Sequence, residues 1–133
     1  MNRVVITGMG WITPMGHDIE SVWNRLLAGE SGIAHTTLFD ASTFPTSISA
    51  EVKNFRLSDH LSDIADHEGA GRNTHFALAA CAQAWKSAGL DAAKLDLDRV
   101  GIVPGYHWRN VAILHWSVGH MIQENRSLHL SGH

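Results

Sequence analysis

With a single cysteine, Cys81, this chain cannot close an internal disulfide. It therefore lacks the cross-linked framework of small secreted domains, and a reducing compartment is the expectation. Its apolar runs all fall far short of the roughly 20 residues that a bilayer-spanning helix needs. The opening Met1-Asn2-Arg3 leads straight into an apolar run and carries no signal-peptide cleavage pattern. Charge of either sign is modest: 10 Lys and Arg against 13 Asp and Glu leave a formal net charge of −3. That excludes the basic field with which proteins hold nucleic acid or an anionic membrane. The expectation is a cytoplasmic protein with neither of those partners.

What is present is ordinary globular material. Hydrophobic residues make up 44% and charged residues 17%, and 133 residues suffice for one domain with a core but not for two. Ten histidines and five tryptophans are many for this length. Half of the histidines (His107, His115, His120, His129 and His133) follow position 106, so composition changes there.

Residues 3–7 form a short β-branched run bounded by Gly8 and Gly10, which predicts a buried strand. Thr13-Pro14-Met15-Gly16 predicts a turn. Asp18 is a good N-cap for a helix to about Ala28, with Ile19, Val22, Trp23, Leu26 and Leu27 on one face and Gly29 as its stop. Residues 30–60 read as loop, anchored by Phe39, Phe44 and Phe55, with a short strand near 48–52. Ser58 is placed to cap a short helix through Ala65. A second helix is predicted from Asn73 or Thr74 to Ala88, stopped by Gly89. Its many alanines allow close backbone approach to a sheet or partner helix. Residues 99–103 predict another strand before Pro104-Gly105. Strand, helix, helix, strand is an α/β order.

Several segments, in this order, resemble the opening of the type II β-ketoacyl-(acyl carrier protein) synthases. They are Arg3-Val4-Val5-Ile6-Thr7-Gly8-Met9-Gly10, Ile12-Thr13-Pro14-Met15-Gly16, and Trp23 through Leu27-Ala28-Gly29-Glu30-Ser31-Gly32-Ile33. Phe39-Asp40-Ala41-Ser42, Phe44-Pro45, Glu51-Val52, Phe76-Ala77-Leu78-Ala79-Ala80 and Arg99-Val100-Gly101-Ile102 continue the match. The resemblance implies an incomplete N-terminal part of a thiolase-like α/β fold over residues 1–105, with a divergent tail at 106–133. It also implies a relationship to enzymes of fatty acid or polyketide synthesis that extend an acyl chain by decarboxylative condensation. Acyl carrier protein is the implied partner, in a homo- or hetero-oligomer, and no metal or organic cofactor is implied. In that family a cysteine is acylated and two histidines stabilise the enolate and oxyanion. All three lie beyond the matched stretch, so no catalytic, cofactor-binding or metal-binding residue carries over. A truncated relative, inactive alone, is the leading expectation; a non-catalytic module pairing with a full-length synthase is the alternative.

Several residues invite a sharper reading and are better explained plainly. Cys81 stands in an Ala-Cys context like that of the family nucleophile, but mid-helix, where no helix N-terminus lowers a thiol pKa; a buried small hydrophobe is the expectation. Gly8-Met9-Gly10 lacks the third glycine of a dinucleotide fingerprint, and Pro14 stands where the helix should begin, so a turn is expected. His129 and His133 lie four apart without a cysteine or carboxylate at ligand spacing, and read as surface histidines. Trp108 and Trp116 read as packing residues rather than stacking platforms. Between Ile64 and Arg72, where type II synthases carry several basic residues for the acidic carrier, this chain keeps Arg72 alone beside Asp66 and Glu68. That departure weakens carrier docking through this face.

After Ile102-Val103 the family continues into a glycine-rich turn, and this chain has Pro104-Gly105-Tyr106-His107-Trp108-Arg109-Asn110 instead. Codons for Tyr106 to Arg109, read one nucleotide later, can specify Thr-Thr-Gly-Gly, while the same shift across Met121-Ile122 forces a stop. Two readings of the tail stay open: a displaced reading frame, or a selected segment. For the second, Val111, Leu114, Val118 and Met121 or Ile122 keep helical spacing over 110–124 behind Asn110 as N-cap.

Overall fold

The computed structural model describes residues 3–92 and 95–103. The helix spacing at 110–124, the tail histidines, Trp108 and Trp116 lie outside the described residues.

Helix α1 spans Ile19–Leu27. Asp18 sits in extended backbone, where its carboxylate accepts from the Ser21 N–H at 2.8 Å and the Ser21 hydroxyl at 2.7 Å. This satisfies one of the donors that every helix leaves open at its start. Gly29 closes the other end at φ 70°: its N–H donates to the Leu26 carbonyl and the Glu30 N–H to the Arg25 carbonyl, both at 3.0 Å. That paired arrangement is the Schellman motif, and its left-handed residue favours glycine. Of the predicted apolar face, Val22 is buried, whereas Trp23, Leu26 and Leu27 are exposed. Periodicity sets which residues share a stripe, but burial needs a surface to cover them.

Beyond α1, strands β1 (Ala34–His35) and β2 (Ile48–Ser49) pair antiparallel, Ala34 opposite Ser49 and His35 opposite Ile48. The expected strand near 48–52 is thus only two residues long. Glu51, beyond its end, turns inward instead and accepts from the Thr37 N–H at 2.9 Å, the Thr37 hydroxyl at 2.7 Å and the Leu38 N–H at 3.1 Å. Those bonds hold its carboxyl down to about 2, the Thr37 hydroxyl contributing most. Phe39 and Phe44 meet edge to face, with ring centroids 5.4 Å apart, yet both are exposed. Phe55 is the anchor that reaches the core.

Ser58 caps no helix. The segment forms 3-10 turns at Leu57–Asp59 and Ala65–His67, with Arg56 and Ile64 at the cap positions. Leu57 is drawn into the core, and a helix through Ala65 would have to carry it in a different register. Helix α2 spans Arg72–Ser87, close to expectation, and Gly89 ends it at φ 68° with its N–H on the Lys86 carbonyl. Leu78, 1% exposed, and Ala79 meet Leu57 at the centre of the core, with Ile12, Phe55, Leu61 and Ile64 packed around them.

The flanking strands are absent among the described residues. Residues 3–7 run irregularly, with Val4 93% and Ile6 86% exposed, and residues 97–99 form a 3-10 turn that leads to Val103, 94% exposed. A strand exists only by pairing, and neither segment meets a partner strand among the described residues. The helix-helix centre of the expected order stands; its outer strands do not.

Gly8 and Gly10 prove to be neither a phosphate cradle nor a turn. They lie against the backbone of α2, where a Cβ on Gly8 would come 2.4 Å from the Ala84 carbonyl oxygen and one on Gly10 2.0 Å from that of Ala80. The alanine-rich face of α2 does permit close approach, but to this irregular segment rather than to a sheet. The turn lies further on, where Thr13 and Gly16 exchange backbone hydrogen bonds of 2.9 and 3.2 Å.

Candidate functional site

The best-organised polar cluster is built around Gln83, on the face of α2 that meets the N-terminal segment. Its Oε1 accepts from the Trp11 N–H at 3.1 Å. Its Nε2 donates to the His17 carbonyl at 2.5 Å and faces His60 Nδ1 at 3.3 Å. One side chain thus joins α2 to two other stretches of chain, the 11–17 segment and the residue after the Leu57–Asp59 turn. Sequence reasoning misses Gln83, although a long polar residue within an alanine-rich helix is a signal for such a bridge.

Aromatic rings surround the cluster. Phe55 stacks on His60 with centroids 5.5 Å apart and planes 15° apart, and it meets His17 at 5.5 Å and Phe76 at 5.0 Å edge-on. His17 and His60 lie 6.5 Å apart between centroids. Burial disfavours the charged His60 ring most strongly, and the His17 charge adds to this; Asp59 and Asp18 oppose it. The net effect holds His60 below the ordinary histidine range.

Cys81 is half-buried in the middle of α2, and burial pushes its thiol up rather than down. A nucleophilic cysteine needs the reverse, a thiolate available near neutrality. Arg72 is engaged structurally: its guanidinium donates to the Val52 carbonyl and lies over the Phe76 ring, 5.1 Å from the centroid. Two buried polar atoms, His67 Nδ1 and Thr74 Oγ1, have no hydrogen-bond partner. Among the described residues no group of three or more His, Cys, Asp or Glu side chains is placed to hold a metal ion.

Nothing in this arrangement assembles a nucleophile, a base and an oxyanion site among the described residues. The cluster fastens α2 to its surroundings, and the core beneath it is the scaffold it serves.

Similarity to known proteins supplies what the geometry does not. Residues 1–126 match the family model for the β-ketoacyl synthase N-terminal domain. That match runs past position 105 into the segment read as divergent. The chain is 41% identical over 103 residues to the 3-oxoacyl-[acyl-carrier-protein] synthase 2 of Coxiella burnetii, covering 77% of this chain and 25% of that protein. It is 37% identical over 100 residues to the enzyme of the same description from Staphylococcus aureus strain COL, covering 75% of this chain and 24% of that one. The solved structure of the ishigamide ketosynthase/chain length factor superposes with a TM-score of 0.55 at 32% identity, over 73% of this chain and 23% of the other. The chain spans about a quarter of the length of the curated relatives it matches. With the family model covering nearly all of it and the matched motifs in order, the chain belongs to the β-ketoacyl synthase family, in that family's N-terminal domain.

Proposed function

We propose that these 133 residues, taken by themselves, are part of a relative of the 3-oxoacyl-[acyl-carrier-protein] synthases of fatty acid or polyketide synthesis and do not catalyse condensation alone. One observation carries this reading: the single cysteine sits mid-helix, away from any helix N-terminus, and burial disfavours rather than favours its thiolate. The acyltransferase chemistry belongs to parts of the family's fold that the resemblance places beyond the matched stretch. A thiolase-like architecture and an oligomeric state are proposed from the same resemblance, and a cytoplasmic location from the single cysteine and the absence of a cleavage pattern. No helix of the described residues is long and apolar enough to cross a membrane.

Incubation of the purified chain with acyl and malonyl forms of acyl carrier protein tests the proposal. Ketoacyl product should not exceed a no-enzyme blank; reproducible product sinks it. Carrier docking through the 64–72 stretch is disfavoured, because Arg72 is already held by Val52 and Phe76. The tail at 106–133 is proposed to fold independently of the segment 1–105, although the family match extends into it as far as residue 126. Its removal should leave the unfolding transition unchanged, and a lost transition would join the two into one unit.

A second reading, a non-catalytic module that pairs with a full-length synthase, is favoured by the exposed Val4, Ile6 and Val103. Co-purification with a full-length synthase, lost when Val4 and Ile6 are replaced by serine, would select it over the first.

A further inference from the structure

The identity of each atom of the Gln83 amide is settled by its partners. A backbone N–H can only donate, so the atom facing Trp11 N is the oxygen; a carbonyl can only accept, so the atom facing the His17 oxygen is the nitrogen. Rotating the amide by half a turn would set donor against donor and acceptor against acceptor. With the amide fixed, Nε2 presents a hydrogen to His60 Nδ1, which can accept it only through a lone pair. The ring in this arrangement is neutral, with its own proton on Nε2.

We propose that Gln83 and His60 form a proton-released latch, in which protonation of the His60 ring at mildly acidic pH frees α2 from the 11–17 segment and from the turn at Leu57–Asp59. The added proton on Nδ1 would put two N–H donors face to face. Gln83 cannot turn to relieve this, because Trp11 and His17 hold both of its ends. His60 can keep its stack on Phe55 only by a half-turn of its ring, which puts Cδ2–H in place of Nδ1 and so loses the Gln83 bond as well. The groups facing His60 are His17 and Asp18 from the N-terminal segment, Asp59 from its own turn and Gln83 from α2. Asp59 and Asp18 favour the proton, as does the Phe55 face. Burial and His17 outweigh them, and the ring is held below its ordinary value.

A base whose midpoint is lowered in the closed form holds the latch fully above the midpoint of the open form, near 6.5 for an unperturbed histidine. The latch weakens as pH falls through the lowered value. Once open, it releases the segment carrying Gly8 and Gly10 from its seat on α2.

Proton NMR of the whole 133-residue chain tests this by following the His60 Cε1–H signal and the hydrogen-exchange protection of the Trp11 amide through about pH 5–8. The His60 midpoint should lie below about 6.5. Trp11 protection should fall about tenfold per pH unit between the closed and open midpoints. Gln83→Met, which keeps length but loses both the donor to His60 and the acceptor for Trp11, should raise the His60 midpoint. His60→Phe, which keeps the stack, should abolish the Trp11 response. A His60 midpoint at or above the unfolded value overturns the latch, as does Trp11 protection that ignores His60 titration. Both are read on the unmodified chain, so the outcome does not depend on either variant folding.

Discussion

Replacing Gly10 by alanine adds one methyl group and should be among the most damaging small changes available to this chain. Built on the observed backbone, the new Cβ stands 2.0 Å from the Ala80 carbonyl oxygen, 2.7 Å from Gln83 Cβ and 2.9 Å from the Ala80 carbonyl carbon. Two of those neighbours are helix backbone, which cannot rotate aside, so the 8–12 segment must lift off α2. Overpacking of this kind costs about 1–3 kcal/mol. Lifting the segment also stretches the bond from Trp11 N–H to Gln83, for about 0.5–1.5 kcal/mol more. The sum is a large share of the roughly 5–15 kcal/mol by which whole domains are stable. Gly69→Ala is the matched control: its Cβ would meet nothing within 4 Å, and its φ lies outside the left-handed range. Urea unfolding followed by circular dichroism and tryptophan fluorescence should place Gly10→Ala well below the parent and Gly69→Ala at or slightly above it. Equal midpoints for the two variants would refute the claim that close backbone approach explains Gly10.

Asp18→Ala removes the acceptor for the Ser21 N–H and should cost about 1 kcal/mol, seen as a lower urea midpoint and weaker helical ellipticity. Glu51 is held at about 2, below the 4.5 of an unperturbed group, so its contribution is complete above about pH 4.5 and drains away as pH falls through 2. Unfolding midpoints from about pH 6 down to 2 should therefore fall less steeply in Glu51→Gln, with Asp18, Asp40 and His60 among the groups supplying the remaining slope; identical slopes would remove Glu51 from the account. Cys81 should react slowly with a thiol reagent at neutral pH and quickly in denaturant, because burial both covers the thiol and disfavours its thiolate. Rapid labelling of the folded chain would return it to candidacy as a reactive group.

The family, the two helices and their ends were legible in the sequence because the information is local. Asp18 and Ser21 sit one turn apart, and Gly29 and Gly89 stand where a helix needs a left-handed residue, so both stops and the start of α1 are written within a few positions; the start of α2 at Arg72, with no side-chain cap on Gly71, was expected one or two residues later. The mid-helix place of Cys81 was legible for the same reason, although it is half-buried where a buried residue was expected. The strands at 3–7 and 99–103 were not, since an apolar β-branched run becomes a strand only when another chain segment meets its hydrogen bonds. Val4 and Ile6, without such a neighbour among the described residues, stay exposed. The 57–67 stretch broke into 3-10 turns although Ser58 looked like a cap, because the burial of Leu57 against Leu78 and Ala79 outweighs a single capping preference. Tertiary structure alone decided that Gly8 and Gly10 serve close packing on α2, and that Gln83 meets Trp11, His17 and His60. Those contacts join residues up to 72 positions apart, and no local pattern records a distance that only the folded chain closes.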